Sequence, residues 1–144
     1  MNMKITAAVL AAATATVALT GCGLKESLTE KANGHVKTVG YATGAEGKRD
    51  TDARLPEWVP DGAAAVTEVI RTTGSERLLR FTGGTLPAVC VPGPAATQTA
   101  TLAANWWPRG QESKTDKVCG DWHVLVQGVD VFAFKPETLV STRS

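Results

Sequence analysis

Hydrophobic positions fall into three patterns along the chain. Residues 5–19 are an apolar run built largely of Ala, Val and Thr behind a cationic start at Lys4. Residues 23–54 carry few large apolar side chains. From Leu55 onward, apolar and polar residues alternate in short stretches, the period of a pleated strand whose successive side chains point to opposite faces. Residues 65–72 (AVTEVIRT) are rich in β-branched side chains, Thr73-Gly74-Ser75-Glu76 supplies a turn, and residues 77–82 continue as a partner strand, which predicts a hairpin. A helix over residues 63–72 competes, with Asp61 as N-cap and Val66, Val69 and Ile70 at helical spacing, but the Thr-rich end favours the strand. A second hairpin is cleaner. Trp122, Val124 and Val126 alternate with His123, Leu125 and Gln127, Gly128 permits a turn, and residues 129–134 alternate again. Between the hairpins runs a long connection, residues 83–117, where residues 95–105 suit a short helix except for their threonines. The pattern predicts an α+β, mostly β fold: a small antiparallel sheet of two hairpins with an irregular connection over one face, and a signal-peptide helix at the N-terminus.

The first apolar run is fifteen residues long, short of the ~20 that cross a bilayer, and has the proportions of a secretory leader. Leu19-Thr20-Gly21-Cys22 closes it with two small residues directly before a cysteine. This resembles the lipobox of bacterial lipoproteins. The resemblance implies cleavage between Gly21 and Cys22, with residues 1–21 as signal peptide and Cys22 as the S-diacylglycerol and N-acyl attachment site. Two acyl chains anchor a domain stably where one binds marginally, so the partner implied first is the lipid bilayer, on the extracytoplasmic face of the cell membrane.

Charge adds little to that anchor. The chain has 15 Lys+Arg and 14 Asp+Glu, and losing Lys4 with the leader leaves the two signs equal. No single-sign field attracts a polyanion, which argues against nucleic acid as a partner. Residues 23–54 hold six basic and five acidic side chains, five glycines and no Trp, Phe or Pro. So little to bury does not offset chain entropy, and the expectation for residues 22–54 is a lipidated cysteine followed by a flexible tether. All prolines, tryptophans and phenylalanines lie between residues 55 and 136, which marks 55–136 as the globular domain and 137–144 as a tail.

With Cys22 committed to lipid, Cys90 and Cys119 remain as one pair in an oxidising compartment, where a disulfide is the expected outcome. A metal site from Cys90, Cys119 and His123 is the weaker alternative, since three ligands without a CxxC clip make a poor zinc set, and no metal or cofactor is expected. Residues 40–49 (GYATGAEGKR) miss the spacing of a phosphate loop. Of the two histidines, His35 falls in the tether stretch and His123 in a strand pattern, and Ser75 lacks a nucleophile elbow. Glu57, Asp61, Glu112, Asp116 and Asp121 are available carboxylates, but no spacing selects a pair. Trp106-Trp107-Pro108-Arg109-Gly110 is the remaining constellation. Either one indole is exposed, making Trp106, Trp107 and Arg109 a partner-binding edge, or both pack over the sheet beside Trp58.

Residues 55–63 (LPEWVPDGA), with Leu86-Pro87-Ala88-Val89-Cys90, Trp106-Trp107-Pro108 and Val118-Cys119-Gly120-Asp121-Trp122, resemble small uncharacterised surface lipoproteins of actinobacteria. That likeness spans about residues 55–135 and implies a disulfide-stapled surface domain without adding an activity. Two functions are therefore expected to compete. The first is a non-catalytic surface module that binds an envelope protein or a cell-wall glycan through residues 106–117. The second is a small envelope hydrolase using Asp and Glu carboxylates.

Overall fold

The computed structural model describes residues 35–53 and 55–138. The leader, Cys22 and residues 139–144 lie outside the described residues. Among the described residues, seven strands form one antiparallel sheet: β1 (Val36–Thr43), β2 (Ala64–Arg71), β3 (Arg77–Thr82), β4 (Cys90–Pro92), β5 (Lys117–Cys119), β6 (Trp122–Gln127) and β7 (Asp130–Lys135). Their spatial order is β1-β2-β3-β7-β6-β5-β4. A six-residue helix, α1 (Gly44–Arg49), follows β1, and a 3-10 turn at Gln111–Lys114 precedes β5.

Both expected hairpins form, β2 with β3 and β6 with β7, and they join through β3 and β7, where Leu79 lies opposite Ala133. Residues 64–71 are strand and not helix, which sends Val66 and Ile70 to one face and Val69 to the other. No helix forms over residues 95–105, whose only regular pairing is an isolated bridge between Ala104 and Trp107.

The expected flexible tether, residues 22–54, needs correction over its described part. Residues 36–43 pair with β2 from Val36 opposite Arg71 to Thr43 opposite Ala64. Charge density hid the period-2 pattern, because the charges of this stretch sit where water reaches them while Tyr41 packs against the core. Thr43 caps α1, accepting from the Glu46 backbone N–H at 3.1 Å. Two glycines attributed to flexibility are close-packing positions instead. A Cβ on Gly44 would sit 2.0 Å from the Pro60 carbonyl oxygen, and one on Gly47 would sit 2.5 Å from Leu55. The folded unit therefore begins by Val36. At the other end, Glu137, assigned to the tail, accepts from the backbone N–H groups of Ser75 and Glu76 at 2.9 and 3.1 Å and ties down the β2–β3 turn.

The sheet is covered on both faces, where one was expected. Leu55, Trp58, Val59, Phe81, Trp122 and Val124 form the core of the first face, with Trp58 within 6.0 Å of both Phe81 and Trp122 between ring centroids. Val69, Leu78, Leu102, Trp107, Phe132 and Phe134 form the core of the second. The central strands carry the reason in their sequence: Leu78-Leu79 and Val131-Phe132-Ala133-Phe134 are continuous apolar runs, which suit a strand buried on both sides. Cys90 and Cys119 are directly opposed on β4 and β5 and are bonded, closing a 29-residue separation.

Candidate functional site

Residues 93–116 leave the sheet edge, cross the second face and return. Few regular hydrogen bonds hold them, so buried polar groups in this segment must find other partners. Two buried glutamates provide them. Glu76, at the end of the β2–β3 turn, accepts from the backbone N–H groups of Thr101 at 2.6 Å and Leu102 at 3.2 Å and from the Thr101 hydroxyl. Arg71 Nε lies 3.5 Å from the same carboxylate, and Arg71 also donates to Thr101 Oγ1 at 2.8 Å. Glu112 accepts from the Ala100 N–H through Oε2 and from Trp107 Nε1 through Oε1, both at 3.0 Å. Burial raises the cost of charging Glu112, but the donors at Ala100 and Trp107 outweigh it and hold the carboxyl below the usual carboxylate range.

Local sequence shapes the tip of the segment. Gly110 has φ +84°, and the Gln111 N–H bonds the Pro108 carbonyl at 3.0 Å. This turn requires a left-handed residue, which glycine adopts without strain, and it places Arg109 at an exposed corner. A groove of about 400 Å³ is lined by residues 99–103 together with Trp107, Arg109, Gly110 and Glu112. That volume lies within the range of small-ligand sites.

The expected site residues separate clearly. Trp107 is buried against Phe134, with 6.2 Å between ring centroids, on the face opposite Trp58. Trp106 is half-buried, edge-on to Trp107 at 6.5 Å. The two indoles therefore do not both lie beside Trp58, and of the three expected partner-binding residues Arg109 is the most accessible. Among the described residues, no group of three His, Cys, Asp or Glu is placed to hold a metal. Of the carboxylates considered for hydrolysis, Glu112 has both oxygens occupied, Asp61 pairs with Lys48 at 2.7 Å, and Glu57, Asp116 and Asp121 are exposed. His123 Nδ1 contacts the Pro94 carbonyl at 3.1 Å, and among the described residues no ion pair or hydrogen bond joins it to a carboxylate. Glu76 and Glu137 were missed as determinants. Their backbone partners are 25 and 61 or more residues away in sequence, so no local pattern marks them. No protein family, curated protein or solved structure matches the chain.

Proposed function

We propose that this is a membrane-anchored extracytoplasmic lipoprotein, acylated at Cys22, whose folded domain is a non-catalytic module that binds an envelope partner at the groove beside residues 106–117. The observation that carries the binding part is the groove itself: a concave site lined in part by the exposed Arg109, with its one buried carboxylate already engaged by two N–H donors. A general acid or nucleophile needs a carboxylate free to reach substrate, and Glu112 is instead spent on shaping the wall. A cation beside an apolar wall suits an anionic partner, a carboxylate-bearing cell-wall glycan or an acidic protein surface. The anchor rests on the small-small-Cys pattern at residues 20–22.

The test compares wild type with Arg109→Glu, both as full acylated chains, for binding to isolated cell wall and for co-purification with membrane proteins. Loss of either interaction in Arg109→Glu, with an unchanged melting temperature, supports the groove. Equal binding by both contradicts it. Intact mass reports the anchor separately: a mature chain starting at Cys22 with added acyl mass is expected, and Cys22→Ala abolishes that mass.

A further inference from the structure

We propose that β1 is a docking edge for β1 of a second copy of this chain, the two sheets joining antiparallel about Gly40. The sheet ends on two unlike strands. β4 has three residues, includes Pro92, and is bonded covalently to β5. Shortness and proline are devices that blunt a sheet edge. β1 has eight residues, no proline and a single charge at Lys37. It lies at the end of the strand order, and among the described residues no strand pairs with its outer side. A strand so placed presents a row of backbone donors and acceptors to any second strand.

The strand suits its own copy. In an antiparallel pair centred on Gly40, Val39 faces Tyr41 on the first face, twice by symmetry, Thr38 faces Ala42 on the second, and Lys37 faces Thr43. Aliphatic-aromatic cross-strand pairs are favourable, and no like charges meet. Thr38, Gly40 and Ala42 are exposed, and among the described residues no bulky side chain covers them. The contact is isologous and closes at two copies. A strand pair alone buries less than a stable solution interface requires, so the pairing is transient in solution, where a disulfide can trap it, and confinement strengthens it. Here the inference rests on the lipid anchor proposed above: twelve residues separate Cys22 from His35, which holds the β1 edges of neighbouring copies at one height and raises their effective concentration.

The experiment uses the full acylated chain in phosphatidylcholine–phosphatidylglycerol vesicles, with flotation measured beside oxidative cross-linking. Gly40→Cys is expected to form a disulfide-linked dimer at least about tenfold more than Ser113→Cys, an exposed position on the distant 3-10 turn. Adding Thr38→Lys and Ala42→Lys to Gly40→Cys sets lysines opposite one another and returns the yield to the Ser113→Cys level, with the melting temperature unchanged. A chain that floats with the vesicles and yields no more dimer than Ser113→Cys overturns the pairing and leaves the anchor standing. Cross-linking by a chain that does not float supports the pairing and removes the anchor. A dimer insensitive to the lysine pair, or no dimer and no flotation, also overturns the pairing.

Discussion

On the first face of the sheet, large side chains from residues 55–63 press directly on Phe81, Trp122 and Val124, with one ionisable pair beneath them. On the second face, the covering segment is held by carboxylates that accept its backbone N–H groups. The two arrangements put opposite signs on the same chemistry. Glu68, on the first face, is fully buried, and among the described residues its Oε1 has no hydrogen-bond partner while Oε2 lies 3.5 Å from Arg77. Burial pushes its carboxyl up to about 7 despite the opposing pull of Arg77. Glu112, on the second face, is held down by its donors. A raised carboxyl adds stability that is full below the unfolded value and is lost as pH rises through the folded one, so Glu68 weakens the first face as pH climbs from about 4.5 to 7. A depressed carboxyl does the reverse: the contribution of Glu112 is present above the unfolded value and is lost as pH falls through its lowered one.

Breaking the first face has the largest expected effect. Phe81→Ala removes a fully buried ring and is expected to cost about 3–5 kcal/mol in urea denaturation, enough to unfold most of a domain this small. Cys90→Ala with Cys119→Ala opens the 29-residue closure and is expected to cost roughly 3.6 kcal/mol on the chain-entropy account, measured in the same way. Glu68→Gln sharpens the comparison between faces. It keeps an acceptor for Arg77 and removes the titration, so the fall in stability between pH 4.5 and 7, on the order of 3 kcal/mol in wild type, flattens in the variant when denaturation is repeated across that range. Glu76→Gln acts on the second face alone. It replaces an acceptor that serves Thr101 and Leu102 with a group that is half donor, at an expected cost of about 1–3 kcal/mol.

Much of the first face is legible along the chain. Trp122, Val124 and Val126 alternate as their strand does, and Cys90 and Cys119 find each other. The second face is less so. Leu78-Leu79 and Phe132-Ala133-Phe134 break strict alternation, which is the mark of a strand buried twice, yet a short apolar run of that kind is equally compatible with one covered face. Residues 36–43 read as tether because composition weighs charges by number, whereas a surface strand tolerates a charge wherever the side chain reaches water. Arg109 is prominent in the sequence because it follows two tryptophans, but the groove it lines depends on Glu76 and Glu112. Their partners lie at 100–102, and only the three-dimensional course of the connection brings them together.

The account turns on carboxylates, rather than packing alone, holding the connection over the second face. Residue-resolved amide hydrogen exchange of Glu76→Gln against wild type addresses this most directly. The account predicts faster exchange at Thr101 and Leu102, with the amides of β3 and β7 at their wild-type rates. Unchanged rates at Thr101 and Leu102, or a uniform acceleration across the whole sheet, would contradict it.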